Sequence, residues 1–181
     1  MDEAITRWIN APAGRSDLID AAMLATASFG VTLMIMFLIS LWWVGSPIKK
    51  VRHACVAAII AIFGSILMVE GLRPLIPHAP PFATGVTHLI MPPYSDIFFH
   101  GYHAGIAASI FFTLLLNRVV PVWTTMLGIM AALVCYARVY VGLRYAGDVL
   151  NGVGLAAAAS IMVHVLYRRD LRVAIWITRW L

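Results

Sequence analysis

The 181-residue chain is 62% hydrophobic and only 12% charged, with a mean hydropathy of +0.89. That is more apolar surface than one small water-soluble core can bury, so the surplus belongs in a bilayer, where a spanning helix needs ~20 mostly apolar residues. The net charge of +5 would raise nucleic acid as a ligand in a soluble protein; here the basic residues sit where membrane-orientation signals do, which argues against it.

The opening stretch does not read as a cleavable signal peptide: Asp2 and Glu3 begin it, and Pro12 and Gly14 come early. The first predicted helix covers residues 17–43, with Ser16 or Asp17 as its cap. Its spanning part starts near Ala27, and Trp42 and Trp43 lie at the headgroup level. Further helices are predicted at 52–72, 103–116, 120–139 and 148–166. The third is short at its polar end, which predicts a start nearer Ser95 or Phe98. Residues 167–181 combine Arg168, Arg169, Arg172 and Arg179 with Ile175, Trp176 and Trp180, the pattern of an amphipathic helix lying on a membrane surface. The fold class is therefore an all-α integral membrane protein, a single domain over 1–181 with about five transmembrane helices. Cys55 and Cys135 fall in different spans near opposite faces, where packing is a better account of them than a disulfide.

Five spans put the two ends of the chain on opposite sides. Lys49, Lys50, Arg52, Arg118, Arg168, Arg169, Arg172 and Arg179 then share one face, against Arg7, Arg15, Arg73, Arg138 and Arg144 on the other. The positive-inside rule makes the first face, with the C-terminus, cytoplasmic. The loop from Arg73 to Phe98 and the turn from Arg138 to Gly147 lie together on the outer face.

The polar residues on that face have bland and functional readings. Arg138 ends an apolar span, where a cation is costly unless it faces a cavity or a partner. Arg144 and Asp148 are four apart and can bridge on one helix. Arg73 can be a headgroup anchor, and Glu70, one turn earlier, its ion-pair partner rather than a catalytic group. His78, His88, His100 and His103 share the outer segment, yet their spacing matches no zinc motif, so no metal or other cofactor is expected. His53 and His164 lie toward the cytoplasmic side and read as incidental. Gly152, Gly154 and the small residues of 156–160 read as a helix-packing stripe in preference to a ligand groove.

Three fragments carry a resemblance: "LRPLIPHAPPF", "FFHGYHAG" and "ARVYVGLRYAGDVLNG", with the opening "INAPAGRSDLID". In order and spacing they resemble the three motifs of the type 2 phosphatidic acid phosphatase and haloperoxidase superfamily, K-x6-R-P, P-S-G-H and S-R-x5-H-x3-D, and most of all its small undecaprenyl-pyrophosphate phosphatase branch. The resemblance implies that Arg73, in the lysine position, and Arg138 contact phosphate, that His103 protonates the leaving oxygen, and that Asp148 orients the group at 144. Four positions depart from the pattern: Pro80 stands for arginine, Gly101 for serine, Ala137 for serine, and Arg144 for the nucleophilic histidine.

A guanidinium stays protonated and offers only donors, so Arg144 has no lone pair with which to attack phosphorus. The leading reading is a phosphatase-like membrane protein with degenerate motifs. It binds a lipid-linked phosphate or diphosphate at its outer face through Arg73, Arg138, Arg144 and His103, with Asp148 orienting Arg144, and does not hydrolyse it by a phosphohistidine route. The expected ligand is an anionic lipid, isoprenoid or glycerolipid phosphate, and the resemblance implies a bacterial plasma membrane. The rival reading is an active phosphatase or phosphotransferase in which His103 or a metal-bound water replaces the lost nucleophile. Whether the chain is an enzyme, and whether it has a protein partner or self-associates, stays open at this level.

Overall fold

A computed structural model describes residues 2–44, 49–72, 79–90, 102–119 and 121–169. They form six helices: α1 (Asp2–Asn10), α2 (Asp17–Val44), α3 (Lys49–Leu72), α4 (His103–Leu116), α5 (Pro121–Tyr140) and α6 (Ala146–Arg169). No strand occurs among the described residues. α2, α3, α5 and α6 are long and apolar enough to cross a membrane, and α4 is a shorter apolar helix. The five helices predicted from the sequence match α2 to α6, with ends displaced by up to three residues. One of these displacements is the far end of α6, which runs on through Arg169 and takes in the first residues of the stretch read as a surface helix. The rest of that stretch, and the expected start of α4 near Ser95 or Phe98, fall outside the described residues. α1 is the one element for which composition and spacing gave no prediction.

The long helices are apolar on nearly every side, so each has one face for its neighbours and one for lipid. Phe29, Met36 and Trp43 on α2, Phe63 and Leu67 on α3, and Leu150 on α6 are all more than half exposed. Apolar exposure on that scale is what a bilayer covers. Three hydroxyls in α2 are satisfied within the helix, as an apolar surrounding favours: Thr26 Oγ1 donates to the Ala22 carbonyl at 2.8 Å, Ser28 Oγ to that of Leu24 at 2.8 Å and Ser40 Oγ to that of Phe37 at 2.7 Å.

α4 is the axis of the bundle. Ile106, Ile110 and Leu114 are wholly buried, and the helix packs against α2, α3, α5 and α6. Fourteen residues span about 21 Å, less than a hydrocarbon core, which is tolerable in a helix that meets protein on all sides. A polar link crosses from it to α6, where Thr113 Oγ1 donates to Ser160 Oγ at 3.2 Å. Cys55 and Cys135 are free thiols on α3 and α5.

One end of the bundle is elaborated. It gathers the start of α2, the end of α3, the start of α4, the α5–α6 turn, α1 and the segment 79–90. Asn10, at the last position of α1, ties three of these together: its Nδ2 donates to the carbonyls of His88 at 2.9 Å and Tyr140 at 2.7 Å, and its Oδ1 accepts from the His88 N–H at 2.7 Å. Thr87 Oγ1 donates to the Gly142 carbonyl at 3.0 Å, and the Ile90 N–H to that of Val141 at 3.3 Å. The turn at Gly142 has φ +85°, and a Cβ there would lie 2.6 Å from the His88 carbonyl oxygen. Glycine is therefore required both by conformation and by contact. The 79–90 segment and the α5–α6 turn thus lie together, as the sequence predicts.

Candidate functional site

The turn after α5 presents the chemistry. α5 stays apolar until Arg138, then the chain reverses at Gly142 and re-enters a helix at Ala146, leaving Arg144 on the turn and Asp148 in the first turn of α6. Arg138 is among the largest fully buried side chains, at 1% exposure, while Arg144 and Asp148 are half-buried. A cation so deep in an apolar bundle is sustainable only beside a cavity or a counter-charge.

Both kinds of neighbour are present. A cavity of about 420 Å³ is lined by Arg138, Arg144 and Asp148, by Ser65, Val69 and Glu70 from the last turns of α3, by Tyr102, Ala104 and Gly105 at the head of α4, and by Asn151, Gly152 and Gly154 of α6. Ile66, Leu72, Val149, Leu150 and Leu155 complete an apolar wall. The volume suits a headgroup with the first part of a chain.

Three of the five residues singled out from the sequence, Arg138, Arg144 and Asp148, therefore meet at one cavity. His103 opens α4 between two lining residues and is itself buried at 5% exposure, but it is not among the side chains that line the space. Arg73, His78 and His100 lie outside the described residues. The imidazole of His88 lies against Gly14, since a Cβ at Gly14 would be 3.4 Å from its Nε2. Among the described residues no three His, Cys, Asp or Glu side chains converge as a metal cluster.

Two features were missed. Glu70 and Asn151 share the cavity, giving the described lining two guanidiniums and two carboxylates. The signal for Glu70 was its place in an apolar span, where an ionisable residue marks a site by default; its spacing from Arg73 offered a simpler explanation. The glycine stripe also does more than pack. A Cβ at Gly152 would meet Ala104 at 3.7 Å, an ordinary helix contact, whereas one at Gly154 would meet open space.

The second feature is how the turn is held. The first N–H groups of a helix lack intrahelical partners and attract anions. In α6 these groups are taken: the Ala146 N–H donates to Thr6 Oγ1 at 3.0 Å and the Gly147 N–H to Asp2 Oδ1 at 2.8 Å. α1 thus supplies the cap of α6 from 140 and more residues away. A ligand anion in the cavity must rely on guanidiniums rather than on these two amides.

No family model matches the chain. It is 33% identical over 106 residues to the undecaprenyl-diphosphatase of Sulfolobus acidocaldarius, an alignment that takes in 58% of this chain and 50% of that protein. The chain therefore spans about half the length of that relative. It is 25% identical over 157 residues to undecaprenyl-diphosphatase BcrC of Bacillus subtilis, covering 86% and 79% of the two chains. The crystal structure of Aquifex aeolicus LpxE superposes with a TM-score of 0.67 over 90% of this chain and 93% of the other; at 22% identity this is a likeness of fold. The chain is thus similar in sequence to two undecaprenyl-diphosphatases and shares the helical membrane fold of LpxE.

Proposed function

We propose that the protein binds a lipid-linked phosphate or diphosphate in this cavity and does not cleave it through a phosphohistidine. The observation that carries the reading is the pair Arg138 and Arg144 on one apolar-walled cavity, with arginine at the position where the superfamily motif has its attacking histidine. Arginine forks match phosphate oxygens two at a time, and water exclusion strengthens such bonds. Neither guanidinium can act as a nucleophile. Asp148, four residues after Arg144, orients that guanidinium; the motif resemblance adds Arg73 and His103 as further phosphate contacts, although the side chain of His103 does not line the cavity. The two undecaprenyl-diphosphatase relatives favour an isoprenoid carrier as the ligand, and the distribution of basic residues favours a cavity that opens on the outer face of a bacterial plasma membrane. The role that follows is to present or pass on such a lipid.

The test is phosphate release from undecaprenyl diphosphate and from phosphatidic acid by the purified full chain, alongside direct binding of both lipids. The expected result is binding without turnover, weakened roughly 10- to 100-fold in Arg144→Ala, the loss of one charge-assisted bond worth about 1.5–3 kcal/mol. Turnover that vanishes in His103→Ala but survives in Arg144→Ala would overturn the reading in favour of an enzyme with a relocated nucleophile. Tight binding that is indifferent to both Arg138→Lys and Arg144→Ala would remove the cavity from the account.

A further inference from the structure

Taken on the reading that Arg138 and Arg144 hold the phosphate, the rest of the lining narrows the ligand. Here the two guanidiniums share the described lining with two carboxylates, Glu70 and Asp148. Asp148 follows Arg144 by four residues at the start of α6 and serves the phosphate side. Glu70 is different. It comes from the last turns of α3, lines the cavity and is exposed, so it is open to an entering ligand. Tyr102, the residue that caps α4, lines the same cavity and is half-buried, packed against the main core cluster of the bundle. α3 and α4 pack side by side, so a carboxylate and a fixed aromatic ring come from adjoining helix ends. That combination recognises an ammonium group, by charge and by the face of the ring.

We propose that Glu70 and Tyr102 form an ammonium subsite beside the Arg138–Arg144 phosphate subsite, so that the cavity selects a lipid phosphate diester bearing an amine. The ligand class is zwitterionic at its head, an aminoalcohol or amino sugar esterified to a lipid phosphate, and a bare phosphate monoester is the poorer fit. Glu70 is then a specificity-determining residue: it attracts the amine and repels the extra charge of an unsubstituted phosphate.

The experiment uses the full chain in detergent micelles and three short-chain probes: dihexanoyl phosphatidylethanolamine, its N-acetyl derivative, and dihexanoyl phosphatidic acid. The expected order is the free amine first, by roughly three- to thirty-fold over its N-acetyl form, with phosphatidic acid no better than the latter. Glu70→Gln should abolish the preference for the free amine and improve phosphatidic acid binding, and Tyr102→Leu should reduce the preference without that improvement. Arg144→Ala should weaken all three probes together. Repeating the trio on a farnesyl anchor tells a glycerolipid from an isoprenoid source, and an amine preference on either anchor supports the subsite. Equal binding of the amine and its N-acetyl form, or a ratio unchanged by Glu70→Gln, overturns the inference while leaving the phosphate clamp intact. If no probe binds, or Arg144→Ala changes nothing, the clamp falls and this inference with it.

Discussion

Arg144 decides what chemistry the cavity can support, because no change of surroundings gives a guanidinium a usable lone pair. Its replacement by histidine is the direct experiment, and the expected outcome is negative. Arg144→Ala measures binding; Arg144→His asks whether one imidazole is enough. Pro80 and Gly101 offer no side-chain donors where the superfamily motifs have arginine and serine, so phosphate release by Arg144→His should stay at background. Full turnover from that single change would show that the first two motifs are less impaired than their residues indicate. Gly142 sets a second limit at this scale. Gly142→Ala would place a methyl 2.6 Å from one backbone oxygen at φ +85°, costing at least the ~1–2 kcal/mol of the left-handed region and displacing the turn that carries Arg144. A lowered thermal midpoint in detergent, with weakened lipid binding, is the expected readout. Motif spacing makes Arg138, Arg144 and Asp148 legible in the sequence, since S-R-x5-H-x3-D fixes positions even where residues have changed. Glu70 was not legible as part of the site, because a neighbouring arginine in sequence supplied it with a sufficient partner.

α1 is the element that hydropathy could not find. Five of its nine residues, Asp2, Glu3, Thr6, Arg7 and Asn10, are polar, so it has no span-like signal, and the surfaces it serves lie far along the chain. Its buried face holds Thr6 and Asn10, while Trp8 is 76% exposed. A helix with polar contacts beneath and a tryptophan outward suits the headgroup layer. The long spans were legible for the opposite reason: about twenty apolar residues in a row admit few other fates. Because α1 caps α6, Thr6→Val should cost about 0.5–2 kcal/mol, the usual loss for an N-cap, and should speed amide exchange at Ala146 and its neighbours more than at α4. Asn10→Ala removes three hydrogen bonds at one buried position and should destabilise by about 1–3 kcal/mol or more, read by unfolding in mixed micelles. Equal exchange in Thr6→Val and wild type would mean that α1 merely rests on the bundle.

At the scale of the whole molecule, the arrangement of charge makes a prediction about sidedness. Lys50 lies at the end away from the cavity, next to Arg52, whose guanidinium sits 5.4 Å from the ring centre of Trp42, and Arg15 lies at the end that carries the cavity. In a background with Cys55 and Cys135 changed to alanine, Arg15→Cys should react with a membrane-impermeant maleimide on intact cells. Lys50→Cys should react only after permeabilisation, and the reverse pattern would turn the cavity inward. The five apolar helices and the lipid-facing surface were readable from composition, whereas the packing of α4 at the centre was not, because an apolar helix looks the same to a hydropathy scan whether it meets lipid or protein.

The bonds from Asp2 to Gly147 and from Thr6 to Ala146 join points 145 and 140 residues apart. During synthesis α1 emerges before the spans that follow it, yet its seat does not exist until α6 has entered the bilayer. Contacts of such long range form late and make assembly slow. α1 must therefore wait at the membrane surface while α2 to α6 are inserted, and a peptide inserted just before α1 would be expected to hinder that docking more than one placed after α6.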